Sequence, residues 1–319
     1  MNESQRKRGK QIHRKTGKTF YYATRLLPDR IREQTYILYG FFRIADEVVD
    51  GEQGYTPDQQ RQQLEAIRRQ ALGYEASDEP VIEAFVTVRE QAGIEDREVH
   101  AFIDAMKADI ETNRYETAED VAQYMRGSAA AVGNMMTAIM DVEQPEKARP
   151  HAMALGEAFQ LTNFIRDVRE DIEELDRVYL PMETLTEYGV TVEDIEATRP
   201  TPEFRMAIKS ELHRAERRYR DGVSGIEQLP SDCQFAVLLA AVLYAEHHRL
   251  IRRRDFDVLT ERPSLSRPRK LWTIARTWWH WRKLRDPVAV FDRVSAIPSD
   301  DHQTGERLGE TERRVPSVD

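Results

Sequence analysis

"YILYGFFRIADEVVD", residues 36–50, carries two patterns at once. Leu38, Phe41, Phe42, Ala45, Val48 and Val49 recur at the three- and four-residue spacing of a helix face that packs into a core. Tyr39, Arg43, Asp46 and Asp50 follow i, i+4, i+7, i+11 and form a continuous polar stripe on the other side. "GEAFQLTNFIRDVRED", residues 156–171, repeats the design with Gln160, Asn163, Asp167 and Asp171 at i, i+3, i+7, i+11. In each stretch two aspartates stand about one turn apart, a like-charge placement that costs a helix roughly 0.2–0.5 kcal/mol. Spacing alone is weak evidence: among 23 aspartates chance supplies about as many such pairs, and solvated helix faces are the plain alternative. Context favours a site. Narrow carboxylate-and-amide stripes on core-like helices are costly to bury unless they face a cavity filled by water or metal.

Outward from these stretches the chain reads as helix throughout. "TPDQQ" (56–60) and "TPEF" (201–204) place threonine at an N-cap and proline at the first helical position, and "TAED" (117–120) has capping spacing. Val121, Met125, Ala129 and Val132 keep helical periodicity, and alternating β-branched runs are nearly absent. The expectation is one all-α domain of about ten helices, over 29–50, 57–72, 80–92, 96–113, 117–142, 145–175, 202–227, 231–254 and 268–284. The basic N-terminus (1–11) is expected to be flexible, and the polar segment 296–319 to be a disordered tail.

Composition narrows the function classes. A net charge of −9 argues against a general nucleic-acid binder. The single cysteine, Cys233, excludes an internal disulfide, and its apolar setting suits a buried structural thiol better than a nucleophile. No apolar stretch follows the basic N-terminus, so it is not a signal peptide. "FAVLLAAVLYA" (235–245) is too short to span a bilayer, which takes about 20 residues, and reads as a central buried helix. A cytoplasmic protein is expected, soluble or peripheral at the inner face of the cell membrane. All four tryptophans fall in "KLWTIARTWWHWRKL" (270–284) among basic residues, a composition shared by interfacial helices and by helices simply packed on a bundle.

Four carboxylates facing one cavity need cations. The candidate ligands are oxygens, with no cysteine or histidine at ligand spacing, which selects hard ions such as Mg²⁺ or Mn²⁺. Mg²⁺ normally shares its coordination with substrate phosphates. Asn163 and Gln160 can hold waters or ligands, and Arg43 and Arg166 suit bidentate contact with phosphate oxygens. The residues thus point to an all-α protein that binds a diphosphate ester through bridging metals, for hydrolysis or for ionisation of a diphosphate leaving group.

Three segments in order, "KTFYYATRLLPDRIREQTYILYGFFRIADEVVD" (18–50), "YMRGSAAAVGNMM" (124–136) and "GEAFQLTNFIRDVREDIEELDRVYLP" (156–181), resemble the head-to-head isoprenoid synthases, the squalene and phytoene synthases. The phytoene branch, of archaeal type, fits best, and the resemblance spans about 12–295. It implies a single-domain isoprenoid-synthase bundle with a central active-site cavity. It further implies Mg²⁺ or Mn²⁺ on Asp46, Asp50, Asp167 and Asp171 with Asn163, and Arg43, Gln160, Arg166 and Tyr39 at the diphosphate. Lys18, Thr19 and Phe20 match a flap over that diphosphate, and Tyr124 matches a cavity tyrosine that assists proton removal. Ala129, Val132 and Gly133 match residues shaping the prenyl channel; Tyr244 and Arg262 match a late diphosphate-contacting pair.

The implied reaction joins two geranylgeranyl diphosphates to phytoene with no NADPH, and a phytoene desaturase is the logical recipient. Squalene or dehydrosqualene synthesis from farnesyl diphosphate is the alternative, followed by an inactive lipid-binding or assembly homologue. Two departures stand out. Gly17 and Thr19 replace usual serines, and Asp176 replaces a glycine in the turn before Arg177-Val178-Tyr179-Leu180-Pro181, where a positive φ suits aspartate less well.

Overall fold

The computed structural model describes residues 3–16, 18–51 and 54–298. They are helical almost throughout, with no strand among them; the one β-type pairing is an isolated bridge between Arg114 and Val178. The first five helices are α1 (Glu3–Thr16), α2 (Lys18–Thr24), α3 (Asp29–Asp50), α4 (Pro57–Ala71) and α5 (Pro80–Ala92). Next come α6 (Asp96–Glu111), α7 (Ala118–Met125), α8 (Ala131–Ile139), α9 (Pro145–Arg166) and α10 (Val168–Leu175). Short helices α11 (Met182–Glu187) and α12 (Val192–Glu196) lead to α13 (Pro202–Ser224), α14 (Ser231–Arg253), α15 (Arg267–Leu284) and α16 (Pro287–Val294).

The cap signals act as their chemistry dictates. Thr56 and Thr117 each accept from the N–H three residues on, while Gln59 and Asp120 reach back to the cap N–H; Thr201 caps α13. α9 lies along α13, α8 and α14, and α3 packs on α1, α5 and α6. Close approach depends on glycine: a Cβ on Gly156 of α9 would stand 2.6 Å from the Ala129 carbonyl oxygen. Phe41, Phe85 and Phe102 join α3, α5 and α6, with the Phe41 and Phe85 rings stacked at 4.1 Å. Cys233 is fully buried, and burial pushes its thiol up to about 12, so it stays a neutral packing residue.

Four expectations need correction. The N-terminal stretch is helical from Glu3 and packs on α3, with Gln5 and Gly9 buried, rather than being a flexible segment. The helix expected over 117–142 is interrupted at Arg126–Ala130 by a π-type turn, where a Cβ on Gly127 would stand 2.1 Å from the Ala101 carbonyl oxygen. The helix expected over 145–175 breaks at Asp167, whose φ of −103° and ψ of 8° lie off the helix. At the C-terminal end Ile297 is buried in the core, so ordered packing runs past residue 295; residues 299–319 lie outside the described residues.

Candidate active site

α3 and the α9–α10 junction face one another across a polar chamber of about 720 Å³. Asp46 and Asp50 line it from α3, Asp167 and Asp171 from the junction, and Tyr39, Arg43, Gln160, Asn163, Arg166, Tyr244 and Arg262 complete much of the wall. The break at Asp167 is local: its N–H still donates to Asn163 O, and Asp171 N–H donates to Asp167 O, both at 2.8 Å.

Arginines hold three of the four carboxylates. Arg43 Nη1 donates to Asp46 at 3.0 Å, and Arg177 Nη1 to Asp50 at 2.8 Å. Asp167 accepts from Arg166 Nε at 2.6 Å and from Arg262 Nε and Nη2 at 2.8 and 3.1 Å; Arg262 also reaches Glu170. Asp171 has no ion-pair partner among the described residues. Burial pushes its carboxyl up to about 8, aided by the negative charges of Asp167, Glu170 and Asp50. Burial likewise raises Asp46 to about 7, with Arg43 opposing and Asp50 and Asp109 adding to the rise. The two motifs therefore feel each other's charge, because Asp50 acts on Asp171 across the chamber.

The donor set suits a hard divalent cation: every candidate group is an oxygen, and Asn163 Oδ1 is buried with no hydrogen-bond partner. Among the described residues no three acidic, imidazole or thiol side chains cluster tightly enough to enclose an ion. Such an arrangement fits ions shared with diphosphate oxygens and water rather than caged by protein.

Beside the aspartates lies a cluster centred on Asp109, a residue the sequence did not single out, on which the expected cavity tyrosine Tyr124 converges. Tyr124 and Tyr179 both donate to the Asp109 carboxylate, at 2.7 and 3.1 Å, and Arg177 Nη2 donates to the Asp109 carbonyl at 2.6 Å. Burial raises Asp109 to about 6 against the pull of Arg177. Phe102, Met106 and Asp109 recur at i, i+4, i+7, so a lone acid on an apolar helix face was the available signal. His247 also lines the chamber. Its Nδ1 stands 3.0 Å from the Tyr244 carbonyl and so carries the proton; burial and Arg166 keep the ring neutral, near 3.

Phe20, Tyr39, Phe42 and Val132 line both the chamber and a second, apolar cavity of about 270 Å³. Phe20 stacks on Tyr244 at 4.4 Å. The apolar cavity runs between α2, α3, α8, α9 and α14 past Thr24, Thr35, Gly133 and Thr137. The three threonine hydroxyls bond back to carbonyls four residues earlier in their own helices, which turns polar side chains into apolar lining. Ala129, expected at the prenyl channel, lines neither cavity; it is buried where its carbonyl meets Gly156. The side chains of Lys18 and Thr19, and Gly17 altogether, lie outside the described residues.

An all-α bundle with a carboxylate-lined polar chamber beside an apolar cavity is the arrangement of the isoprenoid-synthase class of protein. The squalene/phytoene synthase family model matches residues 13–269, and the chain belongs to that family. It is 33% identical over 262 residues to a phytoene synthase of Rhodobacter capsulatus, covering 81% of this chain and 76% of that protein. To a 15-cis-phytoene synthase of Synechocystis sp. it is 30% identical, covering 84% and 83%. Among solved structures a ligand-bound dehydrosqualene synthase superposes with TM-score 0.79 at 25% identity, covering 88% of this chain and 97% of that one. Squalene synthase HpnC from Alicyclobacillus acidocaldarius superposes with TM-score 0.70 at 24% identity, covering 80% and 95%, and supports the fold.

Proposed function

We propose that the protein is a phytoene synthase, which joins two geranylgeranyl diphosphates head to head through prephytoene diphosphate and releases both diphosphates, in carotenoid biosynthesis. The observation that carries this reading is the adjacency of the polar chamber and the apolar cavity, which share Phe20, Tyr39, Phe42 and Val132 as lining. A substrate with an anionic head and a long apolar tail needs both compartments, end to end. The phytoene synthase relatives favour the C20 substrate.

Asp46, Asp50, Asp167 and Asp171, with Asn163, are the residues to hold Mg²⁺ or Mn²⁺. Bound there, the ions supply Lewis-acid assistance to the departing diphosphate. Arg43, Arg166 and Arg262 bind diphosphate oxygens once released from the carboxylates they now pair with. The allylic cation needs walls that attract positive charge and exclude water; Phe42, Phe102, Phe164, Tyr124 and Tyr179 supply aromatic faces around the chamber. Tyr124 is the residue to relay the proton whose loss ends the sequence: its oxygen takes up that proton as its own O–H proton passes to the Asp109 carboxylate, which it contacts at 2.7 Å. Phe20, which lines the chamber against Tyr244, covers the head group.

Phytoene formation ends in loss of a proton and takes up no hydride, so the proposed reaction needs no NADPH. The product is a hydrocarbon, so its recipient is a desaturase that accepts lipids, and the exchange takes place at the inner face of the cell membrane. The superposed dehydrosqualene synthase favours a second reading, use of the C15 diphosphate. Incubating the purified protein with Mg²⁺ and C15 or C20 diphosphate, with and without NADPH, separates the two. Phytoene from the C20 substrate alone is expected; a C30 hydrocarbon, or none, refutes the proposal.

A further inference from the structure

The loop from Arg262 to Leu265 and the residue Lys270 line the chamber, so α15 starts at its mouth. α15 buries one side against the bundle through Thr273, Thr277 and Trp281, at i, i+4, i+8. On the opposite side Leu271, Trp272, Trp278 and Trp279 are 47–63% exposed. Leu271, Ala275, Trp278 and Arg282 follow i, i+4, i+7, i+11, while Trp272 and Trp279 stand two turns apart beside them, so the large apolar groups form one outward stripe. Three of the four tryptophans thus face outward, and only Trp281 turns in.

The basic residues take up places around that stripe. Arg269 and Arg276 lie over the Trp272 ring at 4.3 and 5.2 Å, Arg282 over Trp278 at 5.0 Å and Lys283 over Trp279 at 3.5 Å. From 267 to 285 the chain holds seven lysines and arginines and no acidic residue, although the whole carries a net charge of −9. An outward apolar surface this concentrated is uncommon on a monomeric protein. Tryptophan and leucine on one helical face with flanking cations match a helix lying in the interface of an anionic bilayer.

We propose that the outer face of α15 docks on an anionic lipid bilayer and holds the chamber mouth at the lipid surface. The tryptophans enter the headgroup–acyl boundary, and Arg282 and Lys283, which have no ion-pair partner among the described residues, pair with lipid phosphates, while Arg269 stays on Glu246 and Arg276 on the Arg293 and Val294 carbonyls. The docking gains its purpose from the lipid substrate and product of the reading above. A substrate tail can then pass from bilayer to apolar cavity, and a hydrocarbon product back, without crossing water.

Flotation of the purified protein with vesicles tests this, using phosphatidylcholine alone or mixed with phosphatidylglycerol. The intact protein is expected to float with anionic vesicles about tenfold more than with neutral ones, and less at high salt. The W272S/W278S/W279S variant is expected to stay behind while converting detergent-dispersed substrate within about twofold of the intact enzyme, since these rings lie outside the chamber. R282E/K283E, which leaves the rings in place, is expected to lose the preference for anionic vesicles. An intact protein that remains at the bottom with anionic vesicles overturns the proposal, as does a triple-tryptophan variant that floats equally well. So does light scattering that shows a lipid-free dimer dissociated by the triple substitution, because the stripe is then covered by a second copy. Failure of the detergent assay with intact protein refutes the synthase reading alone, because flotation uses no substrate.

Discussion

Asp171 is the carboxylate in which folding and function oppose each other. Its acid form is favoured by burial and by neighbouring negative charges, so its folded value, about 8, lies above that of an unfolded chain. The folded metal-free state therefore binds the proton more tightly than the unfolded state. The stability this confers is complete at acid pH and is lost as pH rises from about 4 through 8. Asp46 adds to the same trend up to about 7. Asp171→Asn is thus expected to raise the melting temperature of metal-free protein at pH 8 by about 2–4 °C per kcal/mol recovered, and to lower turnover about 100-fold or more. Thermal melts from pH 5 to 8.5, with product assays alongside, check both; a destabilised variant, or one with normal turnover, contradicts the assignment.

Asp176 shows a different balance. It takes a positive φ of 51°, and its carboxylate accepts from Arg114 Nη2 at 2.8 Å and Asn113 Nδ2 at 3.2 Å. The turn survives the loss of the expected glycine because these bonds offset the left-handed backbone. Asp176→Ala is expected to lower stability, and Asp176→Gly to lower it less, since glycine removes the backbone strain while losing the same bonds. Urea unfolding of both variants measures the difference; equal losses would show that strain plays no part.

At the scale of elements, helix existence was legible in the sequence and helix continuity was not. Capping threonines and periodic apolar residues place α3, α4, α13 and α14 within a few residues. The interruptions at Arg126–Ala130 and Asp167 coincide with contacts from far along the chain: the Ala101 carbonyl against Gly127, and Arg262 on Asp167. Local periodicity carries no trace of either. The same close packing gives a prediction for α9. Gly156→Ala drives a methyl to 2.6 Å from the Ala129 carbonyl, and α9 must move away from the π-type turn. A loss of about 1–3 kcal/mol is expected, with reduced turnover, since Gln160 and Asn163 lie on the same helix. Denaturant unfolding that matches the wild type would mean the helices separate without cost.

For the molecule as a whole, the paired aspartates could be found from the sequence because stripes repeat with the period of a helix. The resemblance supplied Tyr124, Val132 and Gly133, but not Asp109 or the remaining walls of the apolar cavity, since these assemble side chains from α2, α3, α6, α7, α8, α9, α14 and the segment after α10. The central claim is spatial: one amphiphilic ligand lies with its head among the four aspartates and its tail beyond Phe20 and Phe42. A crystal structure with Mn²⁺ and a non-hydrolysable C20 thiodiphosphate, with anomalous data at the manganese edge, tests it most directly. Manganese peaks between Asp46, Asp50, Asp167 and Asp171, with prenyl density passing Val132 towards Gly133, are predicted. Manganese outside the chamber, or a tail lying away from the apolar cavity, would contradict the account.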